Sequence, residues 1–248
     1  MNSTESIRNL QSINGITIEN LEARMRPRCD SGAGFLGSNE SLREVIIKDT
    51  KTVTEMGLTH QEIAEFLRLF SKEQKGRSEH NGKEYFHYFK PWRGDQVSPF
   101  SDGTKASVYH TVINLENGAR IEFSELLPEM IDRYGFYEGK TSYRLDPMEI
   151  ARVAGITPMP PDNPIDPIVQ LIKNPDASVV IRTAKQLREV DILYTFAKID
   201  ILSGKNYEFA PEDLEAVNKL EELRESMNRE EESQSDTESE DDTESIHE

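Results

Sequence analysis

The side chains of this chain that could do chemistry are few and widely spaced. Cys29 is the single cysteine, and Arg28 precedes it, which is the kind of neighbour that activates a thiol. His87 and His110 lie in two segments with strand-like composition, so their rings would meet if those strands pair. With Asp95 they form a set of candidates for a scattered active site. A nucleophile such as Cys29 needs a base held beside it, and the sequence shows no such base. An enzyme is therefore kept as an alternative hypothesis.

A glycine-rich hexapeptide suggests a cofactor site but lacks the surroundings that such a site needs. Residues 32–37, GAGFLG, match G-x-G-x-x-G, which binds dinucleotides when a buried strand precedes it and a helix follows. The eight residues before the motif include three arginines and Pro27, a poor buried strand. The sequence therefore predicts a structural loop that holds Phe35 in the core, and no cofactor. Because no histidine pair has metal-ligand spacing, no metal is expected either.

A segment that mixes cations with aromatic residues raises a second alternative, single-strand nucleic-acid binding. Residues 72–93 hold five aromatic side chains and a local charge of +3. Bases stack on aromatic rings while cations contact phosphates. The cations are Lys72, Lys75, Arg77, Lys83, Lys90 and Arg93. Outside the C-terminal tail, however, the chain carries −7. The sequence therefore disfavours a nucleic-acid partner.

The strongest indication of a binding surface is the segment 134–147, YGFYEGKTSYRLDP. It holds three tyrosines and a phenylalanine among two glycines, a lysine, an arginine and two acids. Tyr and Arg are enriched in the residues that dominate binding energy. We predict that Tyr137, Tyr143 and Arg144 contact a partner, with Trp92 and Arg93 as further members of the binding surface.

The elements that must position these residues form an α+β fold. Residues 84–90, 107–115 and 119–123 are strand-like, and Asn117-Gly118 predicts a hairpin between the last two. Thr59 and Glu62 have the spacing of a capping box at a helix start. Asp146 followed by proline predicts another helix start. The pattern indicates a small antiparallel sheet packed with helices, then a helical C-terminal segment and a disordered acidic tail.

Composition divides the chain into five parts. We predict a weakly structured N-terminal segment (1–30), an α+β core domain (31–155) and a proline-rich connector (156–167). A helical segment (168–229) and a disordered tail (230–248) follow. The tail holds ten acids and one aliphatic residue, so it cannot bury enough apolar surface to offset the entropy of ordering.

The composition as a whole predicts a folded protein inside the cell. Leu, Ile, Val and Phe make up about 24% of the 248 residues, above the roughly 20% typical of fully disordered chains. No apolar run is long enough for a membrane span, and the N-terminus lacks the apolar stretch of a signal peptide. With no complete catalytic set, the sequence favours a non-catalytic, cytoplasmic protein-interaction or regulatory protein over an enzyme. We expect a protein partner, and the acidic tail (230–248) would suit a basic one.

Overall fold

The structure, a computed structural model, describes residues 4–29, 31–70 and 75–160, together with positions 218, 222, 223, 225 and 226. The side chains of Trp92 and Arg93 lie outside this description, although their backbone is in a strand. The chain divides into two compact units, residues 1–165 and 166–248. In the second unit, the five described positions are helical. The predicted tail and most of the predicted connector and helical segment lie outside the described residues.

Within the described residues, the first unit begins with a helix and a two-stranded hairpin, continues with three helices and four strands, and ends with two helices. Its helices are α1 (Thr4–Arg8), α2 (Ile18–Arg24), α3 (Leu42–Glu55), α4 (His60–Arg68), α5 (Leu127–Tyr134) and α6 (Pro147–Val153). Its strands are β1 (Ser12–Ile13), β2 (Ile16–Thr17), β3 (Gly76–His80), β4 (Lys83–Val97), β5 (Lys105–Asn114) and β6 (Arg120–Ser124). The predicted α+β class is confirmed.

The main sheet is antiparallel, with its four strands in chain order from β3 to β6. The hairpin at Asn117-Gly118 is present, with Gly118 at a φ of 76°. Five residues join its strands, rather than the three that the predicted bounds leave, and the Asn114 side chain accepts hydrogen bonds from the amides of Glu116 and Asn117 within this turn. Strand β4 runs past its predicted end at residue 90, and its pairing with β5 is irregular after Pro91.

Local capping chemistry starts the helices that the sequence predicts. Thr59 and Glu62 form the complete capping box of α4. The Asp146 carboxylate accepts the amide hydrogen of Met148 at the start of α6. Helix α5 differs, because it begins at Leu127 and its N-cap, Leu126, has no side-chain capping hydrogen bond; the Ser124 hydroxyl accepts the amide hydrogen of Leu126 just before the helix.

The first thirty residues differ from the expectation of weak structure. Ile7, Ile18, Leu21 and Met25 are buried in the same apolar core as the sheet and the longer helices. Apolar side chains at positions 18, 21 and 25 have helical spacing, and Thr17 caps the helix that carries them. Among the described residues, no helix has the length and apolar character to cross a membrane.

Candidate functional site

The segment between α5 and α6, residues 135–146, is called the aromatic loop below. It begins at Gly135, which ends α5 in a left-handed conformation (φ 64°) and donates its amide hydrogen to the carbonyl of Ile131. A Cβ at this position would lie 2.9 Å from the His60 ring, so glycine is required on both counts. The loop ends at Asp146, the cap of α6. Its course is therefore set by the helices on either side.

A buried ion pair anchors the far end of the aromatic loop to α3. The Arg144 guanidinium donates two hydrogen bonds to the Asp49 carboxylate, at 2.6 and 3.0 Å, and a third to the carbonyl of Glu138. Asp49 is only 1% exposed. Burial raises the pKa of Asp49, and the adjacent guanidinium partly offsets that rise. Arg144, predicted as a contact residue, is thus held beneath the loop with its hydrogen bonds directed inward.

A second polar connection joins the loop to α4. The Tyr137 hydroxyl lies 2.9 Å from Nδ1 of His60, whose Nε2 lies 3.0 Å from the Thr50 hydroxyl. Burial lowers the pKa of His60 and raises that of Tyr137, so the ring is neutral and bridges the two hydroxyls, donating through one nitrogen and accepting through the other. Tyr137 is fully buried. A fully buried side chain offers no surface to a partner, and Tyr137 therefore supports the loop from inside.

Glu138 is the most unusual residue of the loop. It is buried, yet its backbone lies in the left-handed region at a φ of 63°, which costs energy for a residue with a side chain. Its carboxylate accepts a hydrogen bond from the Thr141 hydroxyl at 2.7 Å, and Thr141 Oγ1 in turn accepts the amide hydrogen of Tyr143. Burial raises the pKa of Glu138 to about 7. The buried carboxylate and the backbone of the exposed residue 143 are therefore joined through one hydroxyl.

The glycine-rich hexapeptide supports the aromatic loop from the other side. Glu40 accepts hydrogen bonds from the amides of Gly37 and Lys140, and the amide of Gly139 donates to the carbonyl of Phe35. A Cβ on Gly34 would lie 2.6 Å from the backbone nitrogen of Pro27. Phe35 is buried, as the sequence predicts. Gly34 thus serves close backbone packing, and the next helix, α3, begins only at Leu42, whereas a dinucleotide site needs a helix N-terminus at the motif.

The support beneath the loop leaves a short stretch at the surface. We call Lys140, Thr141, Ser142 and Tyr143 the rim; Lys140, Ser142 and Tyr143 are exposed, and Tyr143 is 43% exposed. The Tyr143 ring contacts Tyr109 of β5 nearly at right angles, with 6.1 Å between ring centroids. The rim thus presents one large aromatic side chain on a backbone fixed by hydrogen bonds to buried groups.

The candidate catalytic residues come together only in part. His87 and His110 meet, as predicted, with 3.0 Å between Nε2 of His87 and Nδ1 of His110. Both are buried among Phe70, Phe89 and Phe123. Burial, reinforced by His87, lowers the pKa of His110 to about 4. The low pKa keeps the His110 ring neutral inside the core.

The other two candidates lie apart from the histidines. Cys29 is exposed after α2, and Asp95 forms an ion pair with Lys105 at 3.6 Å. Within the described residues, neither contacts the histidine pair. No group of three metal-binding side chains occurs in that part of the chain. The structure therefore does not assemble the scattered active site.

Most described side chains of residues 75–91 are engaged within the fold. Lys83 donates to the carbonyls of Ala154 and Gly155 at the end of α6, and Arg77 pairs with Glu84 at 3.1 Å. The Lys75 amine lies 4.6 Å from the centroid of the Tyr88 ring. Of the aromatic residues, Tyr85, Phe86 and Tyr88 are buried. Base stacking needs accessible ring faces, which this segment offers poorly.

Sequence reasoning missed Asp49, Glu40 and His60. A signal for Asp49 existed, because it occupies a core position in the helical stripe of Leu42, Ile46 and Val53. An acid in such a stripe requires a buried partner. The positions of Glu40 and His60 depend on tertiary contacts and had no comparable signal.

No protein-family model matches the chain, and neither a curated protein nor a solved structure matches it. Function must therefore be inferred from the geometry of the loop.

Proposed function

We propose that this chain is a non-catalytic, intracellular protein-interaction module that binds a protein partner through the rim, with Tyr143 as its anchor. The observation that carries the proposal is a large aromatic side chain exposed on a rigidly supported loop. Tyr is among the residues most enriched in binding hot spots. Its side chain buries a large area on binding and loses little conformational entropy, because it has few rotatable bonds.

The support beneath the rim favours binding over a purely structural role. Three separate attachments hold the loop: the Arg144–Asp49 pair, the Tyr137–His60 hydrogen bond and the Glu40 carboxylate. A rim that is ordered before binding loses little conformational entropy when a partner docks. Burying charged side chains beneath so short a surface stretch costs free energy, because the charges lose their hydration. We therefore expect the fixed geometry of the rim to serve binding.

The buried histidine pair supports the non-catalytic side of the proposal. General acid–base groups work best when their pKa lies near the working pH. Burial holds the pKa of His110 at about 4, well below the neutral range. The His110 ring, buried and packed against Phe89, Phe123 and His87, also gives a substrate no approach.

The test begins with a photo-crosslinking amino acid placed in the full chain at Ser142, and in a control at Glu65. Both positions are exposed, but Glu65 lies on α4, outside the rim. A partner that binds the rim should be crosslinked from position 142 and not from position 65. The captured protein is then purified and its affinity for the chain is measured directly.

Affinity measurements with two matched variants complete the test. Tyr143→Ala should weaken binding at least about tenfold, the effect of losing a hot spot worth about 1.4 kcal/mol or more. Leu69→Ala is the control, because Leu69, which follows the last residue of α4, is exposed to almost the same extent, at 44%. Equal effects of the two variants, or no adduct specific to position 142, would show that the rim is not the binding surface.

A further inference from the structure

Glu138 lies beneath the rim in surroundings that suit a charged side chain poorly. It is 2% exposed, whereas a carboxylate can accept about four hydrogen bonds. Among the described residues, the Thr141 hydroxyl alone donates to this carboxylate, at 2.7 Å. The backbone of Glu138 is also held in the left-handed region, at a φ of 63°, which is unfavourable for a residue with a side chain. The geometry therefore combines a buried acid that is short of donors with a strained backbone.

Arg144 does not supply the missing hydrogen bonds. Its guanidinium donates to the Asp49 carboxylate and to the main-chain carbonyl of Glu138, so it acts on the Glu138 side chain through its charge. Burial outweighs that attraction and raises the pKa of Glu138 to about 7, with the Thr141 hydrogen bond and the Arg144 charge offsetting part of the rise. The neutral acid and the carboxylate are therefore both present near neutral pH.

Other charged or titratable groups around Glu138 and its partners come from the strands, the helices and the neighbouring loops. They are Lys90, Tyr109, Arg120 and Glu122 on the strands, Asp49, His60 and Asp146 on or beside the helices, and Glu40, Tyr137, Lys140 and Tyr143 in the loops. Burial raises the pKa of both Tyr109 and Tyr137, which therefore stay neutral between pH 5 and pH 8. Asp49 and His60 could titrate in that range, and a variant of Glu138 separates their effects from its own.

We infer that Glu138 is a proton-operated switch of the rim: the neutral acid holds the backbone of Tyr143 in place, and the carboxylate releases it. Thr141 makes the connection, because its hydroxyl donates to Glu138 and accepts the amide hydrogen of Tyr143 at 3.2 Å. An ionised side chain gains hydration when it turns outwards, and this turn also relieves the left-handed backbone. As regulation of binding, the inference rests on the proposed function.

The direction and size of the effect follow from the two states of the rim. The pKa of Glu138 is about 7 with the rim closed, and it should return to about 4.5 when the loop is released and the carboxyl group is hydrated. Protonation therefore favours the closed rim below about pH 4.5, and this contribution is lost as the pH rises to about 7. Between pH 5 and pH 8, the equilibrium constant for closing should fall by about 70-fold.

Hydrogen exchange of the Tyr143 amide, followed by NMR on the full chain without a partner, tests the switch. The protection factor, which corrects for the effect of pH on chemical exchange, should fall at least about tenfold between pH 5 and pH 8. The matched control is the amide of Glu62, which also donates to a threonine hydroxyl at 3.2 Å, that of Thr59. Thr59 in turn donates to the Glu62 carboxylate, but water reaches this carboxylate, so the protection of the Glu62 amide should stay within about twofold.

Two variants and one direct measurement identify the titrating group. Glu138→Gln cannot ionise, so its Tyr143 protection should not change with pH, whereas Glu62→Gln should keep the pH dependence of the parent. The ¹³C signal of the Glu138 carboxyl group in the parent should titrate over the pH range in which the protection falls. The inference is overturned by constant Tyr143 protection in the parent, by a pH dependence that persists in Glu138→Gln, or by a Glu138 carboxyl group that titrates only below about pH 5.

Binding measurements separate this inference from the proposed function. Between pH 5 and pH 8, the affinity for a partner captured from position 142 should fall at least about fivefold more for the parent than for Glu138→Gln. Equal pH dependence of the two proteins would show that the proton does not regulate binding. If a partner is captured but Tyr143 protection ignores the pH, the proposed function stands and this inference alone falls. If the protection follows the pH but no partner is captured, the reverse holds.

Discussion

Replacing Arg144 by methionine should destabilise the protein strongly, because it leaves the buried carboxylate of Asp49 without its ion-pair partner. Arg144→Met keeps the apolar stem of the side chain and removes the group that donates two hydrogen bonds to Asp49. Asp49 is 1% exposed, so water cannot replace the lost partner. The carbonyl of Glu138 loses a donor in the same step.

The size of the effect follows from this geometry. Breaking a buried ion pair by removing one partner costs about 3–5 kcal/mol, mainly because the other charge stays buried. For a unit of this size, that corresponds to a fall in Tm of about 6–20 °C. A substitution at an exposed contact residue would change the stability by less than about 0.5 kcal/mol. The two roles of Arg144, contact residue and buried anchor, therefore predict clearly different results.

Urea denaturation followed by circular dichroism would measure the difference, with Arg133→Met as the control. Arg133 is 48% exposed and pairs with Glu129 at 3.2 Å and with Asp102 at 3.7 Å. Because Asp102 keeps its hydrogen bonds from the Tyr134 hydroxyl and the Thr104 amide, the loss of Arg133 should cost less than about 1 kcal/mol. The double variant Asp49→Leu, Arg144→Met should recover most of the lost stability, since no charge remains buried. If Arg144→Met costs no more than Arg133→Met, the buried pair does not anchor the loop.

Further predictions concern the histidine pair, Glu138 and the glycine-rich hexapeptide. Burial holds the pKa of His110 at about 4, below its unfolded value of about 6.5. The unfolded chain therefore binds a proton more readily, and the free energy of unfolding should fall by about 3 kcal/mol as the pH drops from about 6.5 to about 4. Glu138 has the opposite sign: its pKa is raised to about 7, so its contribution is present below about pH 4.5 and is lost as the pH rises to 7. Glu138→Gln should therefore steepen the rise of stability with pH in urea denaturation, and an unchanged profile would contradict the burial of Glu138. Gly34→Ala should lower the Tm more than Gly82→Ala does, by the equivalent of at least about 1 kcal/mol. Both glycines have a φ of 72°, but only a Cβ at residue 34 would meet neighbouring backbone. Equal shifts in Tm would show that the contact of residue 34 with Pro27 is not tight.

The parts of the fold that depend on short-range chemistry could be predicted from the sequence. The capping box at Thr59, the helix start at Asp146 and the hairpin at Asn117-Gly118 each need residues that are neighbours in the chain. The meeting of His87 and His110 followed from pairing of two recognisable strands. The helix α2 was missed because its stripe is only seven residues long and gains stability from the core rather than from itself.

The interior of the candidate site could not be predicted in the same way. An aromatic, charged segment can place its side chains on either side of the backbone, and the sequence does not say which. Tyr137 and Arg144 turn inward because His60 and Asp49, which lie 77 and 95 positions away in the chain, offer partners there. Tyr143 stays outside, and it is the exposed one among the three predicted contacts whose side chains the structure describes.

The buried polar groups beneath the rim are best understood as fixing direction rather than adding stability. Leucine side chains in place of these polar groups would give a protein that is equally stable or more stable. The reason is that each buried charge loses a large hydration free energy, which its partner must offset. Apolar contacts, however, have no directional preference, whereas the bidentate pair of Arg144 with Asp49 permits one orientation of the loop. The Thr141 hydroxyl, which donates to Glu138 and accepts the amide hydrogen of Tyr143, then fixes the backbone of Tyr143 relative to the buried groups. If the rim works by fixed geometry, the double variant Asp49→Leu, Arg144→Met should regain stability yet still bind the partner more weakly than the parent. If it binds equally well, an apolar floor is sufficient, and the buried charges serve some purpose other than holding the rim.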